Sequence, residues 1–543
     1  AICMSMFVSF SLTPMLCARF LKTPEKREDS GPNLATRMIQ KPYEHLLKLT
    51  LKLRILVLAL CGLSVLWGGH LLKEIGKEFM ADEDEASYSL NVTMPRGWSI
   101  HRTSETLKPI EEELGKLKGV KGVITTVDSA DITQATLQIQ MIPYKERKPF
   151  TQFESRKQAQ EIINRYPLLT ALSSDPDIQL KIQGDDPEVL KEAGEKMVAS
   201  LSQKPGFRSV SSSAKGAQPS VTVRVDRLKA ADLGVSPETA GEAVQILIGG
   251  LKVSTFMEGD RTYDVYLQLP PHQRDVPKDL QKIYVSSSSG TPVALSRVAS
   301  ITEGTEPAKI ERYNRRRVVT LEADLDKSLS QDRGLSETKA ELKTLNLPPS
   351  YGVEDTGSGD LMKKTATYAF EAFVLSVILM YMVLASQFEN LLDPILILCT
   401  LPLAIPFALF SLELAGMTLN LFSVLGLFLL FGIVKKNAIL QIDRTNQLLD
   451  QGMEMDKAII TANTERLRPI LMTTITLVVA MIPPALVGPT GATQSPMAVV
   501  ILGGQSLCLL LTLLLIPAAS SYVDQVKNIG EWKIWSKFRK SQV

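Results

Sequence analysis

Residues 419–442 read LNLFSVLGLFLLFGIVKKNAILQI, an apolar stretch interrupted by Lys435, Lys436 and Asn437. About 20 apolar residues are enough to cross a bilayer as a helix. A charge inside such a helix costs at least about 2.5 kcal/mol, so it usually faces a partner or a wet pathway. The alternative is snorkelling, in which the lysine stem carries its ammonium toward the headgroups, near Asp443. Both interpretations stay open for the two lysines.

Similar stretches recur along the chain. Apolar windows long enough to span a membrane lie at 54–72, 367–386, 393–411, 420–442, 468–488 and 496–518, and residues 1–20 look like the end of another. The mean composition of the 543 residues, 45% apolar and 22% charged with a net charge of +2, conceals this segregation. The pattern predicts a helical membrane protein. Because residue 1 lies inside an apolar pattern without a signal peptide, we expect an N-terminally truncated chain.

One large charged region, residues 75–362, separates the first two complete spans. Basic residues cluster near helix ends in residues 21–54 and in the tail after residue 521, at Lys22, Lys26, Arg27, Arg37, Lys41, Lys48, Lys52, Arg54, Lys527, Lys533, Lys537, Arg539 and Lys540. The connections at 411–419 and 483–496 contain neither lysine nor arginine. Basic segments remain in the cytoplasm, so residues 75–362 are predicted to lie outside.

Conventional enzyme chemistry is not indicated. There is no phosphate-binding loop, no zinc spacing and no nucleophile elbow. The five cysteines all fall in apolar stretches, and the four histidines are scattered. An ion gradient is therefore the expected source of energy, and no cofactor is expected.

The outer region repeats an order of elements. A strand at 87–94, a helix at 100–117, strands at 120–127 and 135–143 and a helix at 152–165 are followed by the same order at 178–183, 187–203, 208–213, 219–225 and 236–248. This alternation predicts two split βαβ units of ferredoxin-like type. Asp186-Pro187 and Ser236-Pro237 are typical helix starts. Residues 249–325 are β-rich and predict a separate module.

Two polar stretches flank the spans on the inner side. Residues 36–53 alternate apolar and charged positions with helical spacing, which predicts an amphipathic helix on the membrane surface. A second polar helix is expected at 446–465.

Arg466 and Thr473 lie two turns apart, on one face of the helix that begins the span 468–488. Together they would line a water path. Alternatively, Arg466 is a positive-inside anchor and Thr473 bonds back to its own helix. The acids near the spans, Glu371, Asp393, Glu413 and Asp443, fall near helix ends. A carboxylate that pairs with Lys436 must therefore come from elsewhere.

Several motifs resemble one transporter family. They are Leu12-Thr-Pro-Met-Leu-Cys-Ala-Arg19, Phe79-Met-Ala-Asp-Glu-Asp84, Gly250-Leu-Lys-Val-Ser-Thr-Phe256, Asp260-Arg-Thr-Tyr-Asp-Val265, Ser386-Gln-Phe-Glu-Asn-Leu-Leu-Asp-Pro394, Phe431-Gly-Ile-Val-Lys-Lys-Asn-Ala-Ile-Leu440 and Arg466-Leu-Arg-Pro-Ile-Leu-Met-Thr-Thr474. They resemble the resistance-nodulation-division efflux transporters, of the hydrophobe/amphiphile branch, and would represent the C-terminal half of such a protein.

The resemblance implies a proton-driven homotrimer of the bacterial inner membrane, a secondary transporter and not an enzyme. Lys436, Arg466 and Thr473 match the family's proton-relay residues, with Asn437 as a secondary candidate. The aspartates that pair with the lysine would belong to a missing N-terminal half. The implied partners are a periplasmic adaptor, an outer-membrane channel, membrane lipid and small amphiphilic substrates, with no nucleic acid.

The same resemblance divides the chain into an α-helical membrane bundle and an α+β periplasmic domain. The expected parts are 1–20, end of a sixth transmembrane helix; 21–53, cytoplasmic loop; 54–74, transmembrane helix; 75–176 and 177–248, porter subdomains; 249–325, docking subdomain; 326–364, return to the porter and membrane; 365–520, five transmembrane helices; and 521–543, cytoplasmic tail.

Substrate class is the weakest part of the resemblance. Drug exporters of the family often carry several phenylalanines near the loop of the first porter unit, whereas residues 123–135 contain no aromatic residue. The aromatic residues elsewhere, Tyr88, Trp98, Phe150, Phe153 and Phe256, are expected to be core. Heavy-metal export within the superfamily is an alternative, although Lys436 and the scattered methionines argue against it. A non-transporting membrane scaffold or sensor is a second alternative.

Overall fold

The computed structural model describes residues 2–20, 34–95, 97–128, 131–214, 218–270, 273–274, 277–306 and 309–528. Most of the expected loop before residue 34 and the tail after residue 528 lie outside the described residues.

The chain opens with three helices, α1 (Ile2–Phe20), α2 (Leu34–Lys52) and α3 (Arg54–Glu74). Helix α2 confirms the predicted helix at 36–53. It packs against the membrane bundle through buried Leu47.

The outer region, between α3 and the next membrane helix, mixes strands and helices. In chain order they are β1 (Ser87–Thr93), α4 (Ile100–Gly115), β2 (Val120–Val127), β3 (Gln134–Met141), α5 (Tyr144–Arg147), α6 (Gln152–Asn164), β4 (Thr170–Ser173), β5 (Ile178–Gly184), α7 (Pro187–Leu201), β6 (Phe207–Ser212), β7 (Gln218–Val225), α8 (Arg227–Asp232), α9 (Pro237–Val244), β8 (Leu251–Glu258), β9 (Arg261–Leu267), β10 (Tyr284–Ser286), β11 (Pro292–Ala294), α10 (Leu295–Val298), β12 (Ala299–Glu306), β13 (Arg312–Tyr313), β14 (Arg316–Leu325), α11 (Gln331–Thr344) and β15 (Gly352–Thr356).

The first sheet has the antiparallel order β2-β3-β1-β4. Strand β3 alternates buried and exposed residues, as expected for a sheet with one face on a core. That core includes Leu90, Leu107, Leu137 and Ile163, from the sheet and from helices α4 and α6. Of the elements from β1 to β4, β1, α4, β2, β3 and α6 were predicted within a few residues, whereas the short helix α5 and the short strand β4 were not.

The second sheet corrects the sequence prediction. We expected the strand at 219–225 and the helix at 236–248 to complete this unit. Instead, β7 pairs with β12, and the sheet runs β13-β14-β5-β15 with β6 also on β14. Strand β14 fits there because Val319, Leu321, Ala323 and Leu325 enter the buried core between β5 and β6.

The residues between β6 and β13 therefore form a separate module, and the predicted 249–325 module has different limits. Its core joins α8 and α9 to the segment from Leu280 to Ala299. Both predicted helix starts are confirmed: Asp186 Oδ1 accepts from the Glu188 N–H at 2.9 Å, and Ser236 Oγ accepts from the Thr239 N–H at 3.0 Å. From this module the hairpin β8–β9 extends with every residue exposed.

The membrane part continues with α12 (Gly357–Phe388), α13 (Leu392–Leu398), α14 (Leu401–Leu414), α15 (Leu421–Asp450), α16 (Met455–Ala485) and α17 (Ser495–Asn528). Six helices among the described residues are long and apolar enough to cross a membrane, with α13 and α14 counted as one. This number agrees with the six predicted complete spans. The separate helix expected at 446–465 is wrong, because α15 and α16 extend to fill most of that segment.

Candidate functional site

Helix α15 carries the lysine pair. It begins at a reciprocal cap, in which the Ser423 N–H donates to Asn420 Oδ1 at 3.0 Å and the Asn420 N–H donates to Ser423 Oγ at 2.7 Å. The helix then continues for 30 residues to Asp450. At about 1.5 Å per residue, Lys436 lies roughly 22 Å from the start of the helix, near its middle.

Three consecutive residues of α15 differ in how far their side chains are exposed. Asn437 is buried, with 3% of its surface exposed, and Lys435 is half-buried. Lys435 lines a groove with α12, beside Leu379 and Val383. Lys436 is exposed and turned away from the described helices. These directions follow from helix geometry, since successive residues are about 100° apart.

Neither lysine forms an ion pair with any carboxylate in the described part of the chain. Two of the acids near the spans, Asp443 and Asp393, have other partners. Asp443 accepts from Gln447 Nε2 at 3.0 Å, and Asp393 accepts from Asn446 Nδ2 at 2.9 Å. The geometry agrees with the expectation that these acids do not meet Lys436.

Helix α16 carries the two other predicted residues. Arg466 is half-buried, and its Nε is buried without a hydrogen-bond partner among the described protein atoms. Thr473 is exposed, and its hydroxyl donates to the Ile470 carbonyl at 3.0 Å. The alternative interpretation predicted this bond, in which Thr473 bonds back to its own helix. No hydrogen bond or ion pair within the described residues joins Lys436, Arg466 and Thr473.

A set of buried uncharged polar residues in the last three helices was not predicted from the sequence. Gln441, Asn463, Thr474 and Gln505 each expose less than 5% of their surface. Gln505 Nε2 donates to Thr474 Oγ1 at 3.3 Å, which links α17 to α16. Several polar atoms of this set have no partner among the described protein atoms, namely both amide atoms of Gln441, Asn463 Oδ1 and Gln505 Oε1. A glutamine or asparagine inside an apolar span was the signal that could have identified them.

The aromatic residues of the outer region occupy mixed positions. Tyr88 is buried in the first core, and Trp98 and Phe150 pack against it, as expected. Phe153 lies near cations, with Lys327 Nζ 4.4 Å from its ring centre. Phe256 contradicts the expectation of a core residue, since 58% of its surface is exposed on the β8–β9 hairpin.

Comparisons with known proteins give a consistent result. A sequence model described as the AcrB/AcrD/AcrF family matches residues 1–523. The cobalt-zinc-cadmium resistance protein CzcA of Cupriavidus metallidurans is 26% identical over 94% of this chain and 51% of its own length. The multidrug resistance protein MdtC of Yersinia pestis bv. Antiqua (strain Angola) is 25% identical over 97% of this chain and 53% of its own.

Solved structures agree on the fold. The crystal structure of a heavy metal efflux pump superposes with a TM-score of 0.81 and 24% identity, covering 90% of this chain and 52% of that one. The chain thus spans about half the length of the curated relatives that it matches.

Proposed function

Because the chain belongs to the AcrB/AcrD/AcrF family of resistance-nodulation-division efflux transporters, we propose that it is part of a proton-driven exporter of the bacterial inner membrane. Members of this family are secondary active transporters and not enzymes. The family assignment and the six candidate spans make the chain a multi-pass inner-membrane protein. The observation that carries the proposed mechanism is the exposed Lys436 in the middle of α15.

An ammonium at this depth needs a counter-charge. Moving a charged group into the bilayer centre is costly, and pairing with a carboxylate relieves that cost. Since no described carboxylate pairs with Lys436, we propose that its partners are aspartates of a complementary N-terminal half. The exposed face of α15 leaves room for such contacts.

Protonation of these carboxylates would drive the transport cycle. A neutral acid attracts the ammonium less than a carboxylate does, so proton binding weakens the pair and lets α15 shift. Asn437, the residue after Lys436, would hold α15 against its neighbours as a secondary member of the relay. Arg466 and Thr473, on α16, would lie on the proton's route to the cytoplasm. The shift would then alternate the outer units between binding and release.

A matched pair of variants in the complete protein tests this mechanism. Lys436→Ala removes the proposed relay charge, whereas Lys435→Ala removes a charge one residue away that faces α12. Cells without their own pumps would be challenged with amphiphilic toxins. We expect Lys436→Ala to lose protection at normal protein levels and Lys435→Ala to keep most of it.

Unchanged protection by Lys436→Ala would contradict proton relay through this residue. A scaffold or sensor, the alternative without transport, would keep partner binding in both variants and would protect in neither.

Among substrates, we propose hydrophobic or amphiphilic compounds such as drugs. Relatives bearing both metal-resistance and multidrug names match the chain. The choice rests on the outer methionines. Met94, Met141 and Met197 are buried in the two sheet cores, where they contact other apolar residues, and the exposed Met80 and Met257 lie on separate elements, the connection after α3 and the β8–β9 hairpin. Thioether ligands for a transported metal would need to line a cleft. Protection against cobalt, zinc and cadmium salts, without protection against amphiphilic dyes, would contradict this choice.

The finer architecture and the assembly are proposed as well. We propose that the two outer sheets with their helices are ferredoxin-like porter subdomains, since each has a four-strand antiparallel core with two helices. The module with the β8–β9 hairpin would be the docking subdomain. Pumps of this family generally work as trimers with a periplasmic adaptor and an outer-membrane channel, and we propose the same partners here.

A further inference from the structure

The ten residues from Gly76 to Glu85, which we call the strap, connect membrane helix α3 to the first strand of the outer region. The strap contacts three different parts of the molecule through its backbone and through the Asp84 side chain. Each set of contacts involves specific hydrogen bonds between described residues, so the strap is more than a covalent link.

The first contacts join the strap to the start of the lysine-bearing helix. The Leu419 N–H donates to the Gly76 carbonyl at 2.9 Å, and the Glu78 N–H donates to the Leu419 carbonyl at 3.2 Å. The Leu421 N–H donates to the Phe79 carbonyl at 3.1 Å. Leu421 is the first residue of α15, and the first N–H groups of a helix have no acceptor within it. The strap therefore supplies an acceptor to the end of α15.

The second contacts join the strap to the second outer sheet. Gln331, at the start of α11, accepts from the Phe79 N–H at 2.8 Å through Oε1. Its Nε2 donates to the Asp177 carbonyl at 2.6 Å and to Ser358 Oγ at 2.7 Å. Asp177 precedes β5, and Ser358 is at the start of α12. One buried side chain thus connects the strap, the second sheet and another membrane helix.

The third contacts fix the far end of the strap to the first outer sheet. The Asp84 carboxylate pairs with Arg147 in an ion pair whose side chains are almost completely buried. It also accepts from the Gln152 N–H at 2.9 Å, at the start of α6. The Asp84 N–H donates to the Pro489 carbonyl at 2.9 Å, in the connection between α16 and α17.

Phe79 takes part in both the first and the second set of contacts. Its carbonyl holds the end of α15, while its N–H is held by Gln331. The strap is also tied to α11 by the Lys77 N–H, which donates to Asp332 Oδ1 at 2.9 Å, and by the Asp332 N–H, which donates to the Lys77 carbonyl at 3.1 Å, but neither bond reaches Asp177 or Ser358. A displacement of α15 by an ångström or two must therefore stretch these bonds and the Gln331 bond, or move the second sheet with it. Packed elements of this kind move as discrete bodies and do not deform continuously.

From these contacts we propose that the strap transmits motion of the lysine-bearing helix to the outer sheets, with Gln331 as the positioning residue that couples them. This inference rests on the proposed proton-driven export. It assigns the coupling to a specific side chain outside the membrane that touches neither proton nor substrate.

The proposal predicts uncoupling by Gln331→Leu. The complete protein would be reconstituted in vesicles with an imposed pH gradient, and proton flux and substrate export would be measured together. Coupling between two sites typically changes an affinity about 5- to 150-fold. We therefore expect about tenfold less substrate exported per proton, with proton flux retained.

Thr338→Val is the matched control. Thr338 lies in the same helix, is completely buried and donates its hydroxyl to the Gly334 carbonyl at 2.8 Å, within α11. Losing that bond should leave the ratio of substrate to protons within about twofold of the wild type, since it connects no second body. An unchanged ratio in Gln331→Leu, or an equal fall in both variants, would overturn the coupling role.

A cross-link gives an independent test. Lys77 and Leu419 are partners in a parallel bridge, and such neighbours have Cα atoms about 5 Å apart, which is compatible with a disulfide. If the strap moves together with the start of α15, oxidation of a Lys77→Cys, Leu419→Cys variant should leave export within about twofold of the reduced protein. The wild type with the same oxidant is the control. Export that stops on oxidation and returns on reduction would overturn the inference.

The wild-type measurement distinguishes failure of the proposed function from failure of the strap proposal. If the wild type shows no export driven by the pH gradient, the proposed function fails, and the strap proposal fails with it. If the wild type exports and the Gln331→Leu ratio stays at the wild-type value, the strap proposal alone fails.

Discussion

Asp177 shows how burial sets the charge of a single residue near the strap. Its carboxyl lies beside Leu325 at the end of β14, where burial raises its pKa to about 7, with Asp82 and Asp324 adding to the effect. The Leu325 N–H, which donates to Asp177 at 2.6 Å, and nearby Arg156 lower the pKa only partly. In the unfolded chain the carboxyl would lose its proton near pH 4.

The pH dependence follows from these two pKa values. Between about pH 4 and pH 7 the folded protein retains a proton that the unfolded chain has lost, so stability falls as pH rises through this range. Asp177→Asn keeps an acceptor for Leu325 and removes the charge. At pH 8 we expect this variant to be more stable by about 1–2 kcal/mol. Thermal unfolding of the purified protein should show a higher midpoint at pH 8 and no difference near pH 4.

Asp175→Asn is the control, because Asp175 is exposed two residues away. Its midpoint should follow the wild type at every pH. A lower midpoint for Asp177→Asn at pH 8 would show that the charged carboxylate stabilises the fold, against this account.

The site residues were predictable only in part. The sequence placed Lys436 in mid-span, because charge within an apolar run is a local property. It did not reveal that Asn437 is buried while Lys436 is exposed, since the direction of each side chain depends on how α15 packs against α12, α16 and α17. Gln441 and Gln505 were missed for a similar reason: an uncharged amide barely changes the hydropathy of a span.

At the scale of elements, α17 packs closely because two glycines face its neighbours. A Cβ on Gly503 would lie 2.1 Å from Ser411 Cβ of α14, and one on Gly504 would lie 2.3 Å from a Leu430 methyl of α15. Small residues allow membrane helices to approach in this way. The pair therefore fixes how α17 contacts both helices.

Gly503→Leu should separate α14 from α17. Overpacking of this kind typically costs about 1–3 kcal/mol, so we expect a lower midpoint of thermal unfolding in detergent. Gly62→Leu, in α3, is the control, because a Cβ there would meet no atom within 4 Å. Equal midpoints in the two variants would contradict close packing at Gly503.

Elements were easier to predict than their partners. Periodicity located β5, α7, β6 and β7, yet the third strand of the second sheet is β14, about ninety residues beyond β7. Both β7 and β14 are plausible strands, and local sequence does not specify which of them pairs with β6. The assumption that neighbouring strands pair fails where a whole module is inserted.

At the scale of the whole molecule, the exposed β8–β9 hairpin is a surface that the proposed trimer would bury between its copies. Its apolar side chains, including Phe256 and Tyr263, are exposed although they extend from a folded module. Exposed apolar patches often mark association sites.

Phe256→Ser should therefore weaken the proposed trimer. Its effect would be measured as the trimer fraction in sedimentation of the complete protein in detergent. Ile124→Ser is the control, because Ile124 and Phe256 are almost equally exposed, at 59% and 58%. A trimer fraction that falls equally in both variants, or in neither, would argue against the hairpin as the contact.

The most direct test of the whole account is export by the complete protein in vesicles under an imposed pH gradient. Export should depend on the gradient and stop when a protonophore collapses it, and it should fall at least about tenfold in Lys436→Ala while Lys435→Ala stays close to the wild type. Export by Lys436→Ala that still follows the gradient at the wild-type rate would contradict the account.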